Sequence, residues 1–220
     1  MTRTELLAVA ARGELFSAEE VQGILEGRKT RAMRLIKPKY SNTHIEWFKN
    51  KYGKRLVEIQ NDIEGETFGQ NEDGTSWHKV LWCDELRPRH KVGDIIYVRE
   101  TWTEFHDGYF YRAGFDDCLL PIMEAQDAKW RPSIHMPRAA ARIFLRITDV
   151  KVQRPQEMDV ASCVREGITW ENYPNAWTVC AKPAFIKLWD NLNAKRGYEY
   201  KANPLCWVYE FERVAPEERG

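Results

Sequence analysis

Long apolar runs, closely spaced cysteines and paired histidines are all missing from this 220-residue chain, and each absence closes off a class of function. No window approaches the roughly 20 apolar residues of a membrane-spanning helix. The N-terminal stretch from Met1 to Ala11 has no apolar centre long enough for an export signal, and no lipid-anchor motif is visible. The five cysteines (83, 118, 163, 180 and 206) are too far apart for a CxxC metal knuckle, and their odd number argues against a secreted disulfide framework. The expected setting is therefore the cytoplasm. The histidines at 44, 78, 90, 106 and 135 show no i,i+4 or other paired-ligand spacing, so neither a metal nor any other cofactor is expected. Charge of one sign is not in excess either: 33 Lys and Arg balance 33 Asp and Glu. No global field draws this chain to a polyanion or a membrane, and any attraction must come from local asymmetry.

That asymmetry is present. Between Arg28 and Arg55 there are ten Lys or Arg residues against one acid, Glu46, with Tyr40, Trp47, Phe48 and Tyr52 interleaved. Cations hold phosphates and flat rings stack on bases, so the segment has the composition of a nucleic-acid surface. The next stretch, Glu58 to Asp73, carries six acids and no base, so the alternative is that the two runs neutralise each other across a hairpin. The nine tryptophans are expected mostly in the core, because each ring buries a large apolar area.

The length suits one domain over residues 1–220. Ser17 and Glu20 form a predicted capping box ahead of a helix with Val21, Ile24 and Leu25 on one face and Gly27 as its stop. Residues 40–90 read as an insertion holding one or two local elements: Ile45, Phe48, Leu56 and Ile59 permit helix, Gly53 interrupts, and Gly65 to Gly74 reads as a loop. After a turn at Lys91 to Asp94, Ile95 to Trp102 predicts a strand with a hairpin partner at Tyr109 to Ala113, joined by the Asp107-Gly108 turn. Arg142 to Val152 predicts a long strand with Ile143, Leu145 and Ile147 inward and Arg142, Phe144 and Arg146 on the other face. Asp159 to Arg165 predicts a short helix ended by Gly167, and Leu205 to Val214 a closing strand. Lys182 to Leu192 predicts a helix whose Phe185, Leu188, Trp189 and Leu192 enter the core. The class is α+β, a small closed or half-closed β-barrel with helices at its margins.

Several landmarks, in order, carry a resemblance. They are Leu15-Phe16-Ser17, Gly27-Arg28-Lys29-Thr30, Gly93-Asp94 followed by Val98-Arg99-Glu100-Thr101-Trp102, and Trp130-Arg131-Pro132-Ser133-Ile134-His135-Met136-Pro137-Arg138. Glu166-Gly167-Ile168 and Asn203-Pro204 before an aromatic strand complete the set. Together they resemble the ASCH branch of the PUA-like superfamily, in the longer form common in phages and prophages, over roughly residues 14–214 without the insertion. The resemblance implies a PUA-like β-barrel with a cleft at its mouth, lined by the Gly-Arg-Lys-Thr segment and suited to a nucleobase. Some relatives of this kind are amidohydrolases that deacetylate N4-acetylcytidine with a lysine, a threonine three residues later and a glutamate before a Gly-Ile-like pair. Lys29 matches that lysine and Glu166 the glutamate, which makes them the catalytic candidates. A lysine crowded by arginines favours its free amine, the form that acts as base toward a hydroxyl. The threonine position is Ala32, and the next arginine of the long forms is Met33. Ala139 stands where those relatives show Trp.

The leading expectation is a module that binds RNA, other single-stranded nucleic acid or a modified nucleoside. Its expected contact residues are Arg28, Lys29, Thr30, Arg31, Arg34, Arg99, Trp102, Trp130, Arg131, Ser133 and His135. The alternatives are an amidohydrolase or a ribonuclease, the latter lacking a recognisable acid and base pair, and an accessory protein that binds a protein partner through residues 40–90.

Overall fold

Two capping boxes open the chain. A computed structural model describes all residues except 11, 41–42, 51–52, 62–66, 71–75, 79, 106–107, 116–120, 122–128, 169–176 and 217–220. Helix α1 (Arg3–Val9) starts at Thr2, whose hydroxyl accepts from the Glu5 N–H while Glu5 reaches back to the Thr2 N–H. After strand β1 (Gly13–Leu15), helix α2 (Ala18–Leu25) repeats the arrangement with Ser17 and Glu20. Reciprocal capping satisfies two donors that a helix start otherwise leaves free. Gly27 ends α2 with φ +74°, and strand β2 (Arg31–Leu35) follows.

Next come β3 (His44–Asn50), β4 (Gly53–Asn61), β5 (Thr67–Gln70), β6 (Ser76–His78) and β7 (Val80–Glu85). Then come β8 (Ile95–Arg99), β9 (Trp102–Phe105), β10 (Gly108–Tyr111) and β11 (Phe144–Gln153). Helices α3 (Val160–Arg165) and α4 (Trp177–Asn193) precede the last strand, β12 (Cys206–Val214). The class is α+β. Among the described residues no helix is long and apolar enough to cross a membrane.

Two compact units result: Met1–Arg34 with His90–Gly220, and Leu35–Arg89. In the first, one sheet has the order β1-β8-β11-β12-β2. The β1 and β8 strands run parallel, while β8–β11 and β11–β12 are antiparallel. Edge strands β1 and β2 come within a side chain's reach of each other, since Arg34 Nη2 donates to the Leu15 carbonyl at 3.0 Å. Ile96, Val98, Ile143, Leu145, Ile147 and Phe211 cover one face and pack on Phe16, Val21 and Ile24. Phe144 does not face solvent between its inward neighbours; it is buried in a second cluster with Leu6 and Ala10 of α1, Trp102 and Met136. The long strand therefore has two apolar faces at its start.

The strand expected over residues 95–102 is broken at Glu100 and Thr101, and β10 pairs with β9 rather than β8. Glu100 explains the break: it is fully buried and turned to Arg142, which donates Nε to Oε1 at 2.9 Å and Nη2 to Oε2 at 2.8 Å. In α4 the buried row is Ala181, Phe185, Trp189 and Asn193, an i,i+4 row, whereas Leu188 and Leu192 are exposed. Placing those two in the core was incorrect, because the apolar stripe is wider than the row that is buried, which packs toward α3 and Tyr200.

The second unit corrects the expectation of one or two local elements in residues 40–90. It holds a three-stranded sheet, β3-β4-β7, and the β5-β6 hairpin. Gly53 opens a strand paired with β3 along its length, from His44↔Ile59 to Asn50↔Gly53, rather than interrupting a helix. Strand β5 stands within the stretch expected to be loop. Lys51, Tyr52, Gly65, Gly74 and Asp107 lie outside the described residues.

Candidate functional site

Lys29 is the last residue but one before β2, and strand alternation aims it and Arg31 at the same carboxylate. Lys29 Nζ donates to the Glu166 main-chain O at 2.8 Å and to Glu166 Oε2 at 3.1 Å. Arg31 Nε lies 3.4 Å from Glu166 Oε1, though neither atom makes a hydrogen bond. Glu166 is the C-cap of α3, where a carboxylate adds to the negative end of the helix dipole. Lys29 offsets that charge by bonding both the carboxylate and the last carbonyl. Arg165 does not take this role, being paired with Glu210. Space for the lysine stem is left by two glycines: a Cβ at Gly167 (φ +92°) would lie 3.1 Å from Lys29 Cβ, and one at Gly23 would lie 3.2 Å from it.

The charges continue in alternation. Glu20 Oε1 lies 3.3 Å from Lys29 Nζ and 4.0 Å from Arg34 Nη1, so one oxygen of the capping residue closes the helix start while the other meets the network. Arg34 Nε lies 3.8 Å from Glu14 Oε2, and Glu14 Oε1 lies 2.7 Å from His90 Nε2. At the far end Arg31 Nη2 donates to Gln153 Oε1 at 2.9 Å. The row therefore runs His90, Glu14, Arg34, Glu20, Lys29, Glu166, Arg31, Gln153. Burial by itself pushes the Glu20 carboxyl up, but Lys29, Arg34 and the Ser17 N–H outweigh it and hold the group below the usual carboxylate range. The expected crowding of Lys29 by arginines is corrected here, since its ammonium sits between two carboxylates.

This network decides what the basic segment offers to a ligand. Lys29 is 3 % exposed and Arg31 1 %, so neither reaches a phosphate at the surface, contrary to the expected contact role. Thr30 faces away from Lys29 toward Arg165, whose Nε is 3.5 Å from its hydroxyl. Ala32 packs in the core beside Phe16, Ile96 and Phe211. Arg34 is half-buried, held to Leu15 and stacked on Phe16 at 5.0 Å. Arg28 remains partly accessible, with Nη1 donating to the Gly167 carbonyl at 2.9 Å and Nε bonded to Glu26 at 2.5 Å.

Beside Arg28 lies a cleft of about 650 Å³. Helix α2 gives Ala18, Glu19 and Gln22; residues 112–115 give Arg112, Ala113, Gly114 and Phe115; Gly167 and Ile168 floor it, and Ala184 and Leu188 of α4 close the side. Behind Phe115, Trp130 packs edge-on at 5.4 Å, and Arg112 lies over the Trp130 ring at 6.0 Å. The other expected site residues stand apart from this cleft. Trp102 is buried, with Arg131 stacked 5.1 Å above it. Arg99 donates to the Ile134 carbonyl, Ser133 is half-buried and His135 exposed. Arg112, Phe115 and Gln22 escaped sequence reading because no motif marks them; the Asp107-Gly108 turn signal only implied that residues soon after it return to the sheet.

Burial, with Glu166 adding to it, pushes the Cys206 thiol up to about 12, and burial raises that of Cys163 as well, so neither is set up as a thiolate nucleophile. Among the described residues no cluster of three or more His, Cys, Asp or Glu is placed to hold a metal ion. Comparisons with protein-family models, curated proteins and solved structures give no match to this chain.

Proposed function

We propose that this chain is an ASCH-type, PUA-like module that receives a nucleobase or nucleoside, free or within an RNA strand, in the cleft beside Arg28. The observation that carries the reading is the composition of that cleft. Its volume, about 650 Å³, is in the range of small-molecule sites. Phe115, Ile168, Leu188 and the two alanines offer apolar surface to a flat ring. Gln22 offers amide donors and an acceptor for a base edge. Two arginines face two glutamates, so the lining is close to neutral and suits a base better than a polyphosphate. The Arg34 bond between edge strands supports a curled, half-closed barrel, and the meeting of Lys29 with Glu166, from segments far apart in sequence, fits the resemblance.

Calorimetric titration of the purified chain with cytidine, N4-acetylcytidine, uridine and adenosine tests this. At least one is expected to bind saturably. Ala184→Trp, which fills the cleft from α4, is expected to weaken binding by about tenfold or more, equivalent to roughly 1.4 kcal/mol. Arg146→Ala, on an exposed pair with Glu212, is expected to change nothing. Absence of binding by all four nucleosides up to millimolar concentration refutes the reading.

A second reading, hydrolysis of an acylated cytidine, is favoured by one observation: the 3.1 Å contact of Lys29 Nζ with Glu166, the two residues that the resemblance makes catalytic. The part it lacks is the nucleophile. With Ala32 in the core and Thr30 aimed at Arg165, Ala32→Thr is expected to leave deacetylation of N4-acetylcytidine undetectable by its absorbance change. Appearance of activity in that variant favours the hydrolase.

A further inference from the structure

One end of the cleft beside Arg28 has its polarity fixed by the chain itself. Gln22 and Glu26 stand one turn apart at the end of α2, and Gln22 Nε2 donates to Glu26 Oε1 at 2.7 Å. The other oxygen of that carboxylate, Oε2, accepts from Arg28 Nε, and Arg28 Nη1 is in turn anchored on the Gly167 carbonyl at 2.9 Å. The Gln22 amide, and after it Arg28, hold the Glu26 carboxyl below the usual carboxylate range, so near neutral pH it accepts and does not donate. An amide can turn either end to a partner, but only its nitrogen can meet an ionised carboxylate. The oxygen is therefore the end that Gln22 turns away from Glu26, and it points across the cleft. A Cβ built on Gly114, in the wall formed by residues 112–115, would lie 3.7 Å from Gln22 Oε1.

We propose that Gln22 reads an exocyclic amino group, so that the cleft takes amino-bearing bases such as adenine and cytosine in preference to their keto counterparts, with Glu26 as a positioning residue that acts through Gln22. The inference rests on the nucleobase reading of the cleft and names the class of base. An amino group at Oε1 donates to it, whereas a carbonyl at the same ring position sets oxygen against oxygen and leaves both without a partner. A keto base can instead offer its neighbouring ring N–H, but that shift carries its carbonyl toward the Glu26 carboxylate. Gln22 is half-buried, so water offsets part of a lost bond, and the preference is about tenfold rather than the far larger factor of a sealed site.

Calorimetric titration of the full chain with adenosine against inosine, and with cytidine against uridine, tests it, since each pair exchanges an amino group for a carbonyl at one ring position. In whichever pair binds, the amino member is expected to bind about tenfold more tightly. Gln22→Leu is expected to abolish the preference. Glu26→Gln, which no longer dictates the end of Gln22 that faces it, is expected to cut the preference to about twofold. A merely structural effect of either substitution would lower both affinities together and leave their ratio in place. Binding without preference, preference for the keto member, or an unchanged ratio in either variant overturns the inference and leaves the nucleobase reading standing. Binding by none of the four nucleosides refutes that reading and the inference with it.

Discussion

Lys29→Met is expected to lower the stability of its unit by about 3 kcal/mol or more, read as a lower urea midpoint at unchanged slope. Methionine keeps the length of the stem in the channel between Gly23 and Gly167 but removes the charge that lies 3.3 Å from Glu20 and 3.1 Å from Glu166. The buried Glu166 carboxylate and the partly exposed Glu20 carboxylate then lose the ammonium between them, and leaving a buried charge without its partner is the costly way to break such a pair. Arg34 and Arg31 each remain near one of them, at 4.0 and 3.4 Å, which keeps the loss toward the lower end of the usual 3–5 kcal/mol for such breaks. Because the groups form one network, Lys29→Met and Glu166→Gln are expected to be non-additive, with a coupling of about 1–3 kcal/mol in a double-mutant cycle. A change below about 1 kcal/mol for Lys29→Met would mean that water or a neighbour replaces the ammonium, and the network reading would fail.

The same result governs how a loss of ligand binding is read. Lys29 and Glu166 are accounted for as a structural pair at a helix end, so their variants speak to chemistry only after folding has been measured. Arg28 and Ala184, which touch the cleft without joining the network, separate the two effects more cleanly.

What was legible from sequence was what is local. Ser17 and Glu20, three apart, announce the start of α2, and Gly27 and Gly167 occupy the positive-φ positions after α2 and α3. Ile143, Leu145 and Ile147 alternate as a strand against one core. The Thr2–Glu5 capping box was equally local and went unread, because α1 (Arg3–Val9) is too short for an apolar helical period to repeat after it. In residues 40–90 the spacing of Ile45, Phe48, Leu56 and Ile59 mimics helix, whereas what decides the conformation is pairing of β3 with β4 across Gly53. The site was legible only in its endpoints. Resemblance singled out Lys29 and Glu166, but the row from His90 to Gln153 joins side chains up to 137 positions apart for one bond, and periodicity carries no information on such approach. Composition misled at Lys29 and Arg31: density of charge in sequence does not show which cations the fold turns inward.

Arg142→Met should combine a stability loss of about 3–5 kcal/mol with weakened nucleoside binding, and the second effect distinguishes it from Lys29→Met. Its guanidinium holds the fully buried Glu100 through two bonds, donates Nη2 to the Ala113 carbonyl at 2.8 Å and lies 4.1 Å above the Tyr111 ring. Removing it strands the Glu100 carboxylate in the core and frees the turn that carries Arg112, Ala113, Gly114 and Phe115, one wall of the cleft. Arg142 would then be a positioning residue, acting on the ligand through that turn. Arg142→Lys keeps the charge but not the two-pronged geometry, so it is expected to recover part of the stability and little of the affinity. If Arg142→Met leaves nucleoside affinity intact at a temperature where it is still folded, residues 112–115 do not form the binding wall, and the base must be sought elsewhere on the molecule.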